Sequence, residues 1–187
     1  AAASSQIENL SASPRAILEA ELGNRSRANA NVIAANTKAL SSALGSAGPI
    51  TVETLLAVHA TLMEGQTYLQ PGALRTDEVW IGGSSPVNAK FVGPSASEIL
   101  KHLEDLVSYC NRTDVPVLIQ AAIAHAQFET IHPFEDGNGR VGRVLMHLML
   151  RKTDVTAQAV LPISGTLLKR NRDYYDALDA YRAGRPE

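Results

Sequence analysis

Between His132 and Arg143 the chain reads His-Pro-Phe-Glu-Asp-Gly-Asn-Gly-Arg-Val-Gly-Arg, which places an imidazole, two carboxylates, three glycines and two arginines within twelve positions. That mixture suits a site that holds a polyanion and moves a proton beside it. Gly137 and Gly139 flank Asn138 and permit backbone conformations in which successive N–H groups converge on one anion. Asn138 is expected to cap the helix that follows, whose N-terminus adds about half a positive charge. Arg140 and Arg143 are three positions apart, hence on one helix face, where two planar guanidinium groups can grip neighbouring phosphates. Asp136 stands directly before this cradle, and a carboxylate next to phosphates suits Mg²⁺, which takes one or two carboxylates and then phosphate oxygens; an Asx turn is the structural alternative. His132 is the nearby group able to accept a proton at neutral pH, which suits a general base.

Two familiar phosphate-loop labels fail. Gly137, Gly139 and Gly142 form a literal G-x-G-x-x-G, but a helical pattern precedes it where a dinucleotide fold requires a strand and a βαβ unit. No Gly-Lys-Ser/Thr follows, so it is not a Walker A loop. A transition-metal face made by His125, Glu129 and His132, four and three positions apart, is also conceivable. It leaves the arginine pair and the Gly-Asn-Gly turn unexplained, and His125 and Glu129 default to helix packing and solvation.

Helices must position these residues. Val52, Leu55, Leu56, His59 and Leu62 recur at helical spacing, as do Ile99, Leu103, Leu106 and Cys110. The second of these helices is introduced by Ser95-Ala96-Ser97-Glu98, the pattern of a capping box. A third helix is predicted from Asp114 near the cap and Pro116 in the first turn, through Ile119, Ala122, Ile123, Ala126 and Thr130, to a stop at His132-Pro133; its apolar character places it centrally. The helix after the glycine turn buries Val141, Val144, Leu145, Leu148 and Met149. Residues 77–83 and 89–93, separated by Gly, Ser and Pro, read as a β-hairpin. Before Leu44 helical stretches alternate with Ser/Asn-rich breaks, and 45–49 is a loop. The expected class is mainly α with one small hairpin.

The 187 residues fit one domain, and 45% hydrophobic with 19% charged residues fits a packed core. Seventeen Lys+Arg against nineteen Asp+Glu leave a net charge of -2, which argues against a generally basic nucleic-acid binder, so anion binding must be local. Cys110 is the single cysteine, which excludes an internal disulfide, suits a reducing compartment and reads as a buried spectator thiol. No apolar run approaches the ~18 residues of a membrane span, and residues 1–10 lack a secretory signal, so a cytoplasmic protein without membrane partners is expected. The start at Ala1 and the stop at Glu187 fit an excerpt of something longer as well as a processed N-terminus.

His132 to Arg143 resembles, position for position, the H-x-F-x-[D/E]-G-N-G-R-x-x-R signature of the Fic family. The similarity continues in Pro71-Gly72-Ala73-Leu74-Arg75, leading into a flap at Val79-Trp80-Ile81-Gly82-Gly83, and in a later helix with Tyr174 and Tyr175. The resemblance implies a Fic fold that transfers AMP from ATP to a Ser, Thr or Tyr hydroxyl of a target protein. His132 would be the catalytic base and Phe134 the loop anchor. Asp136 would hold Mg²⁺, and the segment Gly137, Asn138, Gly139, Arg140, Val141, Gly142 and Arg143 would bind the phosphates. The flap would dock an extended target segment by strand addition, and Tyr174 and Tyr175 would contact the base or ribose, with helix packing as the alternative. Ser4-Ser5-Gln6-Ile7-Glu8-Asn9 resembles the [S/T]-x-x-x-E-[G/N] inhibitory motif of some Fic proteins, with Ser4, Glu8 and Asn9 at its defined positions. Glu8 would then pair with Arg143 and take the γ-phosphate position.

The organisation implied is an N-terminal helical region over 1–48, with an inhibitory helix at about 3–20, and a Fic core over 49–187. The last helix usual for that core, and any DNA-binding domain, would lie beyond Glu187; a homodimer is one arrangement the sequence leaves open. Two alternatives remain. The same fold could transfer UMP, phosphate or phosphocholine, or remove AMP from a modified protein; or the chain could sense ATP without turnover, a reading against which His132 argues because binding alone needs no base.

Overall fold

The structure is a computed structural model describing residues 1–45, 48–66, 70–152 and 161–184. Nine helices and one two-stranded sheet are seen among the described residues: α1 Ala2–Ile7, α2 Pro14–Glu21, α3 Ala28–Gly45, α4 Val52–Leu62, β1 Trp80–Ile81, β2 Phe91–Val92, α5 Ile99–Cys110, α6 Val117–Ile131, α7 Asn138–Lys152, α8 Ile163–Lys169 and α9 Asn171–Arg182. This is the mainly α class that the periodicity predicts.

Apolar spacing explains the centre. Leu55 and Leu62 of α4, Ile99, Leu103, Leu106 and Cys110 of α5, Phe128 of α6, and Val141, Val144, Leu145 and Met149 of α7 meet in one core. Ala39 and Ala43 of α3 belong to it, so the sequence boundary at 48/49 is no break in packing. Small residues allow that approach, since alanine brings two helix backbones close without a cavity. A second cluster joins Ile7 of α1, Ala126 of α6 and Tyr174 and Leu178 of α9. The first 45 residues therefore reach both sides of the α6–α7 pair. Cys110 is buried, as expected, and burial pushes its thiol up to about 12, which leaves it inert.

Several local expectations need correction. The single inhibitory helix at about 3–20 is two helices, α1 and α2, with a turn between. The turn begins at Asn9, whose φ of 60° lies in the left-handed region that Asn tolerates. Asn9 N–H bonds to Gln6 O and Leu10 N–H to Ser5 O, the Schellman closure of a helix end, and Pro14 then opens α2 behind Ser13. The Ser95 hydroxyl donates to the Glu98 carboxylate at 2.6 Å instead of accepting a backbone N–H, so a 3₁₀ turn over Ala96–Glu98 precedes α5. Pro116 caps α6 and does not lie inside its first turn. Ile119 and Ile123 face outward, while α6 buries Gln120, Ala121, Ala124, His125, Phe128 and Glu129. An all-apolar pattern conceals which face is inside; the polar residues pulled inward reveal it. The hairpin strands are two residues each, paired Trp80 with Val92 and Ile81 with Phe91, and Gly93 N–H on Val79 O extends the ladder. Ser46 and Ala47 of the 45–49 loop lie outside the described residues. No described helix is long and apolar enough to cross a membrane.

Candidate active site

α6 ends at Ile131, and α7 begins at Asn138; of the turn between them His132, Glu135, Asp136 and Gly137 line a cavity of about 310 Å³. The helix stops because His132 adopts φ 50°, a left-handed conformation, and Pro133 has no N–H to continue the ladder. The turn is then clamped by Asn138. Its Oδ1 accepts Phe134 N–H at 2.9 Å and its Nδ2 donates to Phe134 O at 2.7 Å. Asn138 was expected as a helix cap and phosphate ligand; its buried amide is consumed by the loop, which fixes Phe134 in the core. Gly137, at φ 81°, has no room for a side chain because Met63 Cε occupies that space.

The seven residues of the expected cradle do not all face the cavity. Gly137, Asn138, Gly139 and Arg140 line the cavity. Val141 does not: its side chain is in the core and its N–H bonds to Gly137 O within the helix. Gly142 faces Glu129 and His125, where any side chain would strike both, so it serves the close approach of α6 and α7. Arg140 and Arg143 are each 2% exposed. Arg140 Nη2 meets Asp136 Oδ2 at 3.1 Å, but its Nε and Nη1 and Arg143 Nη1 have no hydrogen-bond partner among the described residues. Buried N–H groups left without acceptors are costly, so these three point to an anionic occupant.

One anion is already there. Arg143 Nη2 donates to Glu8 Oε1 at 2.7 Å, and its Nε and Nη2 donate to Ser4 Oγ and Ser4 O at 2.8 and 3.0 Å. The same Glu8 carboxylate occupies the space over Gly139 where a Cβ would otherwise fit. It thus sits between the N-terminus of α7 and a guanidinium, the position favoured for a phosphate. α1 is too short to persist alone. Ile7 in the second core and Asn36, which donates to Ser5 Oγ and Ala1 O at 3.1 Å each, hold it down. Asn9 contributes by ending the helix in a left-handed conformation.

His132 lines the cavity. Its Nδ1 lies 3.3 Å from Glu129 O; a carbonyl only accepts, so Nδ1 carries the proton and Nε2 is left as the basic nitrogen. Burial, with Arg182 and Arg75 nearby, pushes the imidazole down to about 4, so it is neutral at pH 7. Glu129 is pushed up to about 7 by burial against the opposing pull of Arg143. His125 Nε2 is bound to the Tyr174 hydroxyl at 2.9 Å, and no group of three or more His, Cys, Asp or Glu able to hold a metal occurs among the described residues. His125, Glu129 and His132 therefore make no metal face. Tyr174 packs in the second core, while Tyr175 is 43% exposed and lines the cavity beside it. Of the flap, Ile81 and Gly82 reach the cavity; Val79, Trp80 and Gly83 form the hairpin behind them.

Two positioning residues are poorly marked in the sequence. His59, noted only as a member of an apolar face, stacks on Phe134 with ring centroids 3.8 Å apart. Its Nδ1 accepts Gly72 N–H at 3.0 Å, so Nε2 is the protonated nitrogen and donates to Asp136 O at 3.2 Å. Arg75 is a buried hub: Nε donates to His132 O at 2.8 Å, Nη1 to Asp77 O at 2.6 Å, and Nη2 to Pro94 O at 2.7 Å and Ile131 O at 3.3 Å. It ties both ends of the flap segment to the strained residue. Arg75→Met strands these carbonyls and is expected to cost about 3 kcal/mol. At this chain length that lowers the melting temperature by roughly 6–12 °C, checked by calorimetry.

Comparison with known proteins agrees with this geometry. Protein adenylyltransferase fic-1 of Caenorhabditis elegans is 28% identical over 138 residues, which is 72% of this chain and 25% of that protein. Protein adenylyltransferase Fic of Aedes aegypti is 30% identical over 137 residues, again 72% of this chain and 25% of the relative. The chain thus spans about a quarter of the length of these curated relatives. A crystal structure of a Fic family protein from Desulfovibrio desulfuricans superposes with a TM-score of 0.80 at 29% identity, covering 98% of this chain and 56% of that one. Fic-1 (residues 134–508) from C. elegans superposes at 0.71 with 25% identity, covering 98% and 55%. The family model for Fic/DOC matches residues 49–150, a span that holds the glycine turn and all but the last two residues of α7, and with the turn, the arginine pair and the fold in agreement the chain belongs to the Fic/DOC family.

Proposed function

We propose that the chain is the catalytic part of a protein adenylyltransferase held in an inhibited state by its own α1. The observation that carries this is the Glu8 carboxylate bound to Arg143 over Gly139, because it fills an anion site that still has three unpartnered guanidinium N–H groups. ATP suits the site: Arg140 and Arg143 match its β- and γ-phosphates, the backbone around Gly137 and Gly139 its α-phosphate, and Tyr175 its base or ribose.

Asp136 fits Mg²⁺. Its carboxylate is half-exposed at the cavity's edge, and one carboxylate with substrate phosphates is a usual Mg²⁺ donor set. Bound there, the ion would neutralise phosphate charge. His132 Nε2 takes the proton of a target hydroxyl as that oxygen forms a bond to the α-phosphorus, and the bond from that phosphorus to the departing pyrophosphate oxygen breaks. The target is a protein segment laid in extended form along the flap, where exposed Trp80 and Val92 flank the short ladder. Glu8 competes by holding Arg143, which prevents the γ-phosphate from seating and leaves the α-phosphate out of line. A reducing, cytoplasmic setting suits the lone buried thiol.

Mass spectrometry of a protein substrate labelled by the activated enzyme tests the donor chemistry. An adduct of the mass of AMP is the expected result. A UMP, phosphate or phosphocholine adduct, or loss of AMP from a premodified substrate, would replace the proposed reaction with another on the same fold.

A further inference from the structure

Arg182, at the end of α9, reaches the candidate base from outside the glycine turn. Its side chain is 8% exposed and lines the cavity. Nη2 donates to Glu129 O at 3.1 Å, the same carbonyl that accepts from His132 Nδ1 at 3.3 Å. Nη1 meets Asp179 Oδ1 at 3.3 Å. The other oxygen of that carboxylate accepts Lys90 Nζ at 2.7 Å, and Lys90 adjoins β2 of the flap, its N–H bonded to Ile81 O.

A carbonyl oxygen has two lone pairs, and two donors on it must come from different directions. With Nη2 holding one, the imidazole N–H is confined to the other, which restricts the ring plane as well as the tautomer. We propose that Arg182 is a positioning residue for His132, acting through Glu129 O, and that Asp179 holds the guanidinium in place and links it to Lys90 of the flap. The guanidinium charge also disfavours a second proton on His132. Arg75 from the pre-flap segment acts in the same sense, Glu8 from α1 in the opposite one, and the Glu129 carbonyl from α6 favours the protonated ring.

The reading rests on His132 as the base, so its test reports on the ring itself. In the intact chain labelled with ¹⁵N-histidine, ring-nitrogen shifts give the tautomer and titration of each histidine, and the His132→Asn spectrum identifies the His132 signals. The unaltered protein is expected to show His132 protonated at Nδ1 alone throughout pH 6–8. Arg182→Met is expected to give a mixture of tautomers and a titration moved upward, and Asp179→Asn a smaller change in the same direction. Arg182→Lys, which keeps the charge and a donor, should restore most of the single tautomer. In a Glu8→Gly background Arg182→Met should lower kcat by about tenfold or more, with a much smaller change in KM for ATP, as misorientation of a reacting group does.

An unchanged His132 tautomer and titration in Arg182→Met overturns the proposal. If that variant does not fold, the same result in Arg182→Gln overturns it. A changed ring state with no transferase activity in any variant would retain the positioning role and remove the adenylyltransferase reading; activity with an insensitive ring would do the reverse.

Discussion

Glu8→Gly is expected to raise labelling of protein by ATP carrying a labelled α-phosphate about 10- to 100-fold. The carboxylate makes a charge-assisted hydrogen bond with a 2% exposed guanidinium, an interaction of about 1.5–3 kcal/mol, and each ~1.4 kcal/mol corresponds to a factor of ten. The substitution removes that competitor without removing α1. Ile7, Ser5 and the bonds from Asn36 remain, and glycine is tolerated at the end of a helix. Arg143 keeps its contacts to Ser4, and the Nη2 hydrogen that bonds Glu8 is released for phosphate. Labelling as weak as that of the unaltered protein, with ATP binding normally, would mean that Glu8 is a structural ion pair and not an inhibitor.

Adding His132→Ala to Glu8→Gly is expected to reduce labelling by about 10²–10⁴-fold, the usual contribution of a general base, while ATP affinity changes little. In the proposed site ATP would be held by α7 and its preceding turn, through groups other than the imidazole. The pH dependence gives an independent measure. The imidazole is pushed below its ordinary value to about 4, so the neutral, proton-accepting form predominates above that pH. For the Glu8→Gly protein, kcat/KM, which reports the free enzyme, should be flat from about pH 5.5 to 8 and fall only as acid approaches the lowered value. A limb rising through pH 6.5 would show an exposed, ordinary histidine at work and contradict the buried geometry.

The glycine turn was legible because its chemistry is local. Residues 132 to 143 touch one another through a single turn and one helix start, so their types and spacing nearly determine what they can bind. Helices with a clear apolar stripe were legible for a related reason: Ile99, Leu103, Leu106 and Cys110 are all buried on one face of α5. The orientation of α6 is not legible, because apolar residues occur around most of it, and its inward face is marked by His125 and Glu129. Those polar groups are inside because Tyr174 bonds His125 and Arg143 lies beside Glu129, partners that come from α9 and α7. Val141 is the member of the glycine-turn string that turns into the core, while Asn138 both clamps the loop and lines the cavity. A motif string does not say which members face the ligand and which support the loop.

His59 and Arg75 carried weak signals. A histidine at an apolar position of an amphipathic helix invites a search for its partners, and Arg75 closes the Pro-Gly-Ala-Leu-Arg string before the flap. Nothing local in either says that it ends at Asp136 O or His132 O.

The sequence by itself determined the helical class and the glycine turn with its histidine and arginine pair, because these depend on residue type, on helical period and on neighbours within a dozen positions. The resemblance names Glu8 and Arg143 as partners, and the packing of α1 brings them together; only the tertiary structure decided that Arg75 bridges the flap to His132 and that Arg182 shares the Glu129 carbonyl with the imidazole. Each of these contacts joins residues 50 or more positions apart. Such pairings are set by how the helices pack around α6 and α7, and no period or propensity along the chain encodes them.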